Sequence, residues 1–113
     1  MYCYYPKPYT PLVHWNMRFF FSAPYRYRFS TDADERRFTV VKEILSELAP
    51  GEYGILKAII ANPTGFRDLQ DSYIHERMKE RGMSDEDSSR FYELLDKVDR
   101  KIAVNMGYID NKN

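Results

Sequence analysis

Between Gly51 and Gly82 the chain reads GEYGILKAIIANPTGFRDLQDSYIHERMKERG, two amphipathic stretches separated by Asn62-Pro63-Thr64-Gly65. Pro63 lacks a backbone donor and its ring clashes with a preceding helical turn, so one helix cannot run through this region. Tyr53, Leu56, Ile59 and Ile60 share a face of a helix over about 52–62. Phe66, Leu69, Tyr73 and either Ile74 or Met78 share a face of a second helix over about 65–81, which Gly82 is placed to terminate in the left-handed region. Two short helices with one apolar face each cannot form a core by themselves. The rest of the chain must cover them.

Two longer helical patterns flank the pair. Thr31 is a capping residue ahead of Asp32 and Asp34, acids that favour the positive end of a helix. Phe38, Val41, Ile44 or Leu45, and Leu48 then recur at helical spacing, which predicts a helix over about 32–49 ended by Pro50-Gly51. Ser84 with Asp87 three residues on approximates a capping box for a last helix over about 84–106. Its apolar stripe is Phe91, Leu94 or Leu95, Val98, Ile102 and Met106, and Gly107 should end it. In the tail, 108–113, Tyr108 and Ile109 are expected to fold back and the remainder to fray.

The first 30 residues have a different character. They hold 11 of the 18 aromatic residues and the charges Lys7, Arg18, Arg26 and Arg28 with no acid; residues 31–113 carry 13 basic and 17 acidic side chains. Pro6, Pro8 and Pro11 lie among Tyr2, Tyr4, Tyr5 and Tyr9, so residues 1–11 read as an extended arm. Val13, Trp15, Met17, Phe19 and Phe21 then alternate with their neighbours, and Tyr25, Tyr27 and Phe29 alternate with Arg26 and Arg28. That period of two predicts a β-hairpin over about 12–30, its apolar face resting on the helices. The expected architecture is a single, mostly helical α+β domain over 1–113, with arm, hairpin, a helical body over 31–107 and the tail.

Composition removes several functions. Seventeen Lys and Arg balance 17 Asp and Glu, whereas a nucleic-acid binder usually shows a basic excess. The stretch 51–82 resembles a helix-turn-helix element in outline, yet its second helix offers Asp68, Asp71 and Glu76 beside Arg67 and Gln70, and those acids repel phosphate. No apolar run approaches the roughly 18 residues of a spanning helix, so no membrane role is expected. Cys3 stands alone, which fits a reducing, cytoplasmic setting.

No catalytic constellation, metal site or cofactor motif is legible. His75-Glu76 lacks the second histidine of a zinc helix, because position 79 is Lys79; Asp71 and His75 share one helix face but supply two ligands at most. The expectation is a non-enzymatic interaction protein, an inhibitor of or subunit in a larger protein or nucleoprotein complex. Phage and plasmid accessory proteins that act on host machinery share this small, motif-free profile. Tyr4, Tyr5, Tyr9, Trp15, Arg18, Phe20, Arg26 and Arg28 are the candidate contact residues, since exposed Tyr, Trp and Arg dominate protein interfaces. The alternative is nucleic-acid binding, with bases stacked on rings between Arg18, Arg26 and Arg28 or through a degenerate helix-turn-helix.

Overall fold

The computed structural model describes residues 4–22, 31–61 and 71–110, and every regular element among them is an α-helix. These are α1 (Thr10–Ser22), α2 (Asp32–Ser46), α3 (Pro50–Ile60), α4 (Asp71–Glu80) and α5 (Asp85–Asn105). Among the described residues the protein is therefore helical, with no strand, where a mixed α+β domain was expected. Residues 12–22, assigned above to the first strand of a hairpin, belong to α1. The remainder of that hairpin, with Arg26 and Arg28, lies outside the described residues, as do the 62–65 turn, Phe66 and Leu69.

Burial shows why the period-two pattern misled. In a half-buried strand Val13, Trp15 and Met17 would share one environment. Instead Val13 and Met17 are fully buried while Trp15 is 44% exposed. The adjacent pairs Val13/His14 and Asn16/Met17 are buried together, which a helix face permits and an alternating strand does not. The run is apolar on nearly every side, so both periods fit its composition, and tertiary burial selects the helix. The arm is also shorter than expected. Pro11 sits inside the first turn of α1, where its missing N–H costs no intrahelical bond.

The other helix ends follow from capping. Thr31 Oγ1 accepts from Asp34 N at 3.1 Å, and Ser84 Oγ accepts from Asp87 N at 3.1 Å. Pro50, expected as a stop for α2, is the first residue of α3. Ala49 at the N-cap has no side-chain acceptor, but its N–H donates to Glu52 Oε1 at 3.1 Å, one half of a capping box. Gly82 (φ 68°) and Gly107 (φ 80°) close α4 and α5 with paired bonds to the preceding turn. At Gly107 these run from Gly107 N to Val104 O (3.1 Å) and from Tyr108 N to Ala103 O (2.8 Å). That turn folds Tyr108 and Ile109 back onto the core.

α1 packs on α2, α3 and α5, α5 also packs on α2 and α3, and α4 leans on α3. The core comprises Val13 and Met17 from α1, Val41, Ile44 and Leu45 from α2, Leu56, Ile59 and Ile60 from α3, and Ile74 and Met78 from α4. From α5 it takes Phe91, Leu95, Val98, Ile102 and Ala103. Two arginines finish α3 from outside. Arg77 donates to Ala58 O at 2.6 Å and Arg18 Nε to Ile60 O at 3.2 Å, supplying partners to last-turn carbonyls and charge to the negative end of the helix dipole.

Candidate functional site

α5 places Asp99 on its buried stripe, beside Val98 and between Leu95 and Ile102. A carboxyl in that position needs a partner, because an unpaired buried charge is costly. α1 provides one. His14 Nε2 lies 2.9 Å from Asp99 Oδ2, and the two side chains are each 1% exposed. The non-helical segment 4–9 provides a second, the Tyr4 hydroxyl, which donates to the same oxygen at 3.0 Å while its ring stacks on Tyr92 (centroids 5.0 Å apart, 18° between planes). Asp99 Oδ1 is buried and has no hydrogen-bond partner among the described residues.

Burial pushes the Asp99 carboxyl above the usual carboxylate range. The His14 charge and the hydrogen bonds from His14 and Tyr4 pull it back, while Asp96 adds to the rise. If Asp99 is the acceptor, His14 must carry a proton on Nε2. A carboxyl–imidazole pair is the orienting half of many proton-transfer sites, but in this conformation neither group meets solvent.

A second polar cluster sits where α1 meets α2. Arg37 Nε donates to Asn16 Oδ1 (2.6 Å), Arg37 Nη1 to Asp34 Oδ1 (2.6 Å), and Asn16 Nδ2 to the Tyr108 hydroxyl (2.9 Å). The Arg37 guanidinium lies 4.4 Å from the Trp15 ring centre, and Trp15 stacks on Phe19 (5.9 Å, 17°). Leu12, Trp15 and Phe19 are spaced three and four residues apart and so form a ridge along α1, with Leu12 54% exposed. Next to it a shallow groove of about 370 Å³ is lined by Lys7, Pro8, Tyr9, Leu12, Tyr108 and Ile109.

The expected contact residues therefore separate. Tyr5 (65% exposed) and Trp15 face solvent. Tyr4 is tied to Asp99, Arg18 to the end of α3, and Phe20 packs against Phe38 with ring centres 5.0 Å apart. Tyr9 is half-buried, and its hydroxyl is held more protonated than usual by burial and then by Asp96 and Asp99, against Arg100. Sequence reasoning missed His14, Asn16, Arg37 and Asp99. Asp99 left one signal, an acid on the apolar stripe of an otherwise regular amphipathic helix.

His75 is exposed, and among the described residues no group of three or more His, Cys, Asp or Glu side chains is arranged to hold a metal ion. No helix among them is long and apolar enough to cross a membrane. Comparison of the chain with protein-family models, curated proteins and solved structures gives no match.

Proposed function

We propose that this chain is a small, non-enzymatic protein–protein interaction module, an inhibitor of or subunit in a larger protein or nucleoprotein complex in the cytoplasm. One observation carries the reading: Trp15 stands 44% exposed on a helix, yet is held against Phe19 by the Arg37 guanidinium, which lies over both rings. A large ring already held in one orientation loses little freedom on docking, and Trp, Tyr and Arg supply most interface energy. The contact surface contracts from the whole aromatic arm to Tyr5, Leu12 and Trp15, rimmed by Lys7 and Arg37. The partner is a protein surface with an apolar recess for the indole. Arg18 favours this reading over nucleic-acid binding, since its guanidinium serves the end of α3.

The test is affinity capture with wild type, Trp15→Ala and, as a control outside the ridge, Arg90→Ala, each checked for helicity by circular dichroism. A defined protein held stoichiometrically by wild type and Arg90→Ala, and lost by folded Trp15→Ala, is the expected result. Equal capture by Trp15→Ala removes the ridge from the interface. Retention of oligonucleotide that falls steeply with salt replaces the reading with nucleic-acid binding.

A further inference from the structure

We propose that residues 4–9 form an acid-released strap: the Tyr4 hydroxyl holds it to the buried Asp99 carboxylate, and protonation of that carboxylate lets it go. This rests on the buried cluster and stands whether or not the neighbouring groove binds a partner.

The strap is fixed at its α1 end, where Lys7 N donates to Thr10 Oγ1 (2.8 Å) and Thr10 N to Lys7 O (3.0 Å). At its other described end it is attached through the Tyr4 ring on Tyr92 and the Tyr4 hydroxyl on Asp99 Oδ2. A hydroxyl donated to a carboxylate binds the anion better than the acid, so linkage requires that protonating Asp99 weaken the Tyr4 bond by the same factor. The remaining oxygen, Oδ1, is buried without a partner among the described residues, so the anion is only half satisfied. The groups that bear on this cluster are His14 from α1, Asp96 and Arg100 from α5, and Tyr4 and Tyr9 from the strap itself. Burial, the largest influence, makes Asp99 take up its proton at milder acidity than an exposed carboxylate.

The sign separates strap release from unfolding. An acid whose folded-state proton affinity is raised contributes stability that is full below its ordinary range and is lost as pH rises through the raised value. Acidification through that window therefore does not unfold the helices through Asp99. It frees the Tyr4 end of the strap and bares Tyr92, while Lys7 stays tied to Thr10 and Tyr9 O still accepts from Val13 N.

Nuclear magnetic resonance of the full chain tests this by following the Asp99 carboxyl carbon and the Tyr4 ring signals from pH 7 downward. In wild type the two should titrate together, above the ordinary carboxylate range, while signals from α3 stay fixed. Tyr4→Phe keeps the ring on Tyr92 and should raise the proton affinity of Asp99 by about tenfold, the worth of one hydrogen bond to a charged group. In Asp99→Asn the Tyr4 titration should vanish. Tyr4 signals that stay constant while Asp99 titrates, or an unchanged Asp99 midpoint in Tyr4→Phe, overturn the proposal. Tyr4→Phe decides the matter if Asp99→Asn does not fold.

Discussion

α1 carries two polar clusters of similar size, and they differ in how completely their atoms are partnered. Around Asn16 both ends of the amide are engaged, by Arg37 on the oxygen and Tyr108 on the nitrogen, and the charges belong to an Asp34–Arg37 pair about one-fifth exposed on each side. Around Asp99 two donors crowd one oxygen, the other has no partner among the described residues, and both ionisable groups are dry. The first arrangement is a brace, since each polar atom named has a partner and the ion pair keeps some of its water. The second is a buried group whose protonation state is contested by burial and by His14. Bond counts hide that difference. What separates the clusters is how much water each group has given up and how fully the protein replaces it.

Removing one partner from each cluster sharpens the contrast. His14→Ala leaves Asp99 buried beside a cavity with only Tyr4 to answer it, and should lower the unfolding free energy by about 3 kcal/mol in urea denaturation at pH 7. The loss should shrink on acidification, because a protonated Asp99 no longer leaves an uncompensated buried charge. A loss below about 1 kcal/mol would mean that the pair is solvated and the two clusters are equivalent.

Arg37→Ala is the matching cut in the brace. It breaks the ion pair with Asp34, strands the buried Asn16 oxygen and removes the cation above Trp15. An unsatisfied buried acceptor and a lost cation–π contact together cost about 1–2 kcal/mol, and the loss should show little pH dependence between 5 and 8. A pH-dependent loss matching that of His14→Ala would break the comparison.

This contrast also marks where the sequence was readable. The helices that use capping residues and glycine stops are visible in it: Thr31, Ser84, Gly82 and Gly107 act locally, so local reading finds them. α1 was not, because a run such as VHWNMRFFF is apolar enough to satisfy either period, and the choice is made by the α2, α3 and α5 surfaces it meets. The pairing of His14 with Asp99 spans 85 residues and that of Tyr4 with Asp99 spans 95, so neither is available to a spacing argument. Residue type alone also placed Tyr4 and Trp15 in one contact surface, although the helix turns Trp15 outward and the strap turns Tyr4 inward. Side-chain chemistry was legible, and the direction each side chain faces was not.

The smallest effect sets the floor of the scale. Glu86 and Arg90 form an ion pair of 2.7 Å one helical turn apart on α5, comparable in length to Arg37–Asp34, but 75% and 73% exposed. Both charges keep most of their hydration, and salt screens the attraction that remains. Arg90→Ala should therefore cost no more than about 0.5 kcal/mol at low salt, falling toward zero as ionic strength rises, in the same urea experiment. A larger and salt-insensitive cost would show that this pair depends on packing toward Glu52 and Ile55 of α3 and Met83 of the α4–α5 turn, and that exposure is a poor guide to the energies of the two clusters on α1. The short distance in the Glu86–Arg90 pair makes it the stringent case, because length alone would rank it with the brace and dehydration ranks it last.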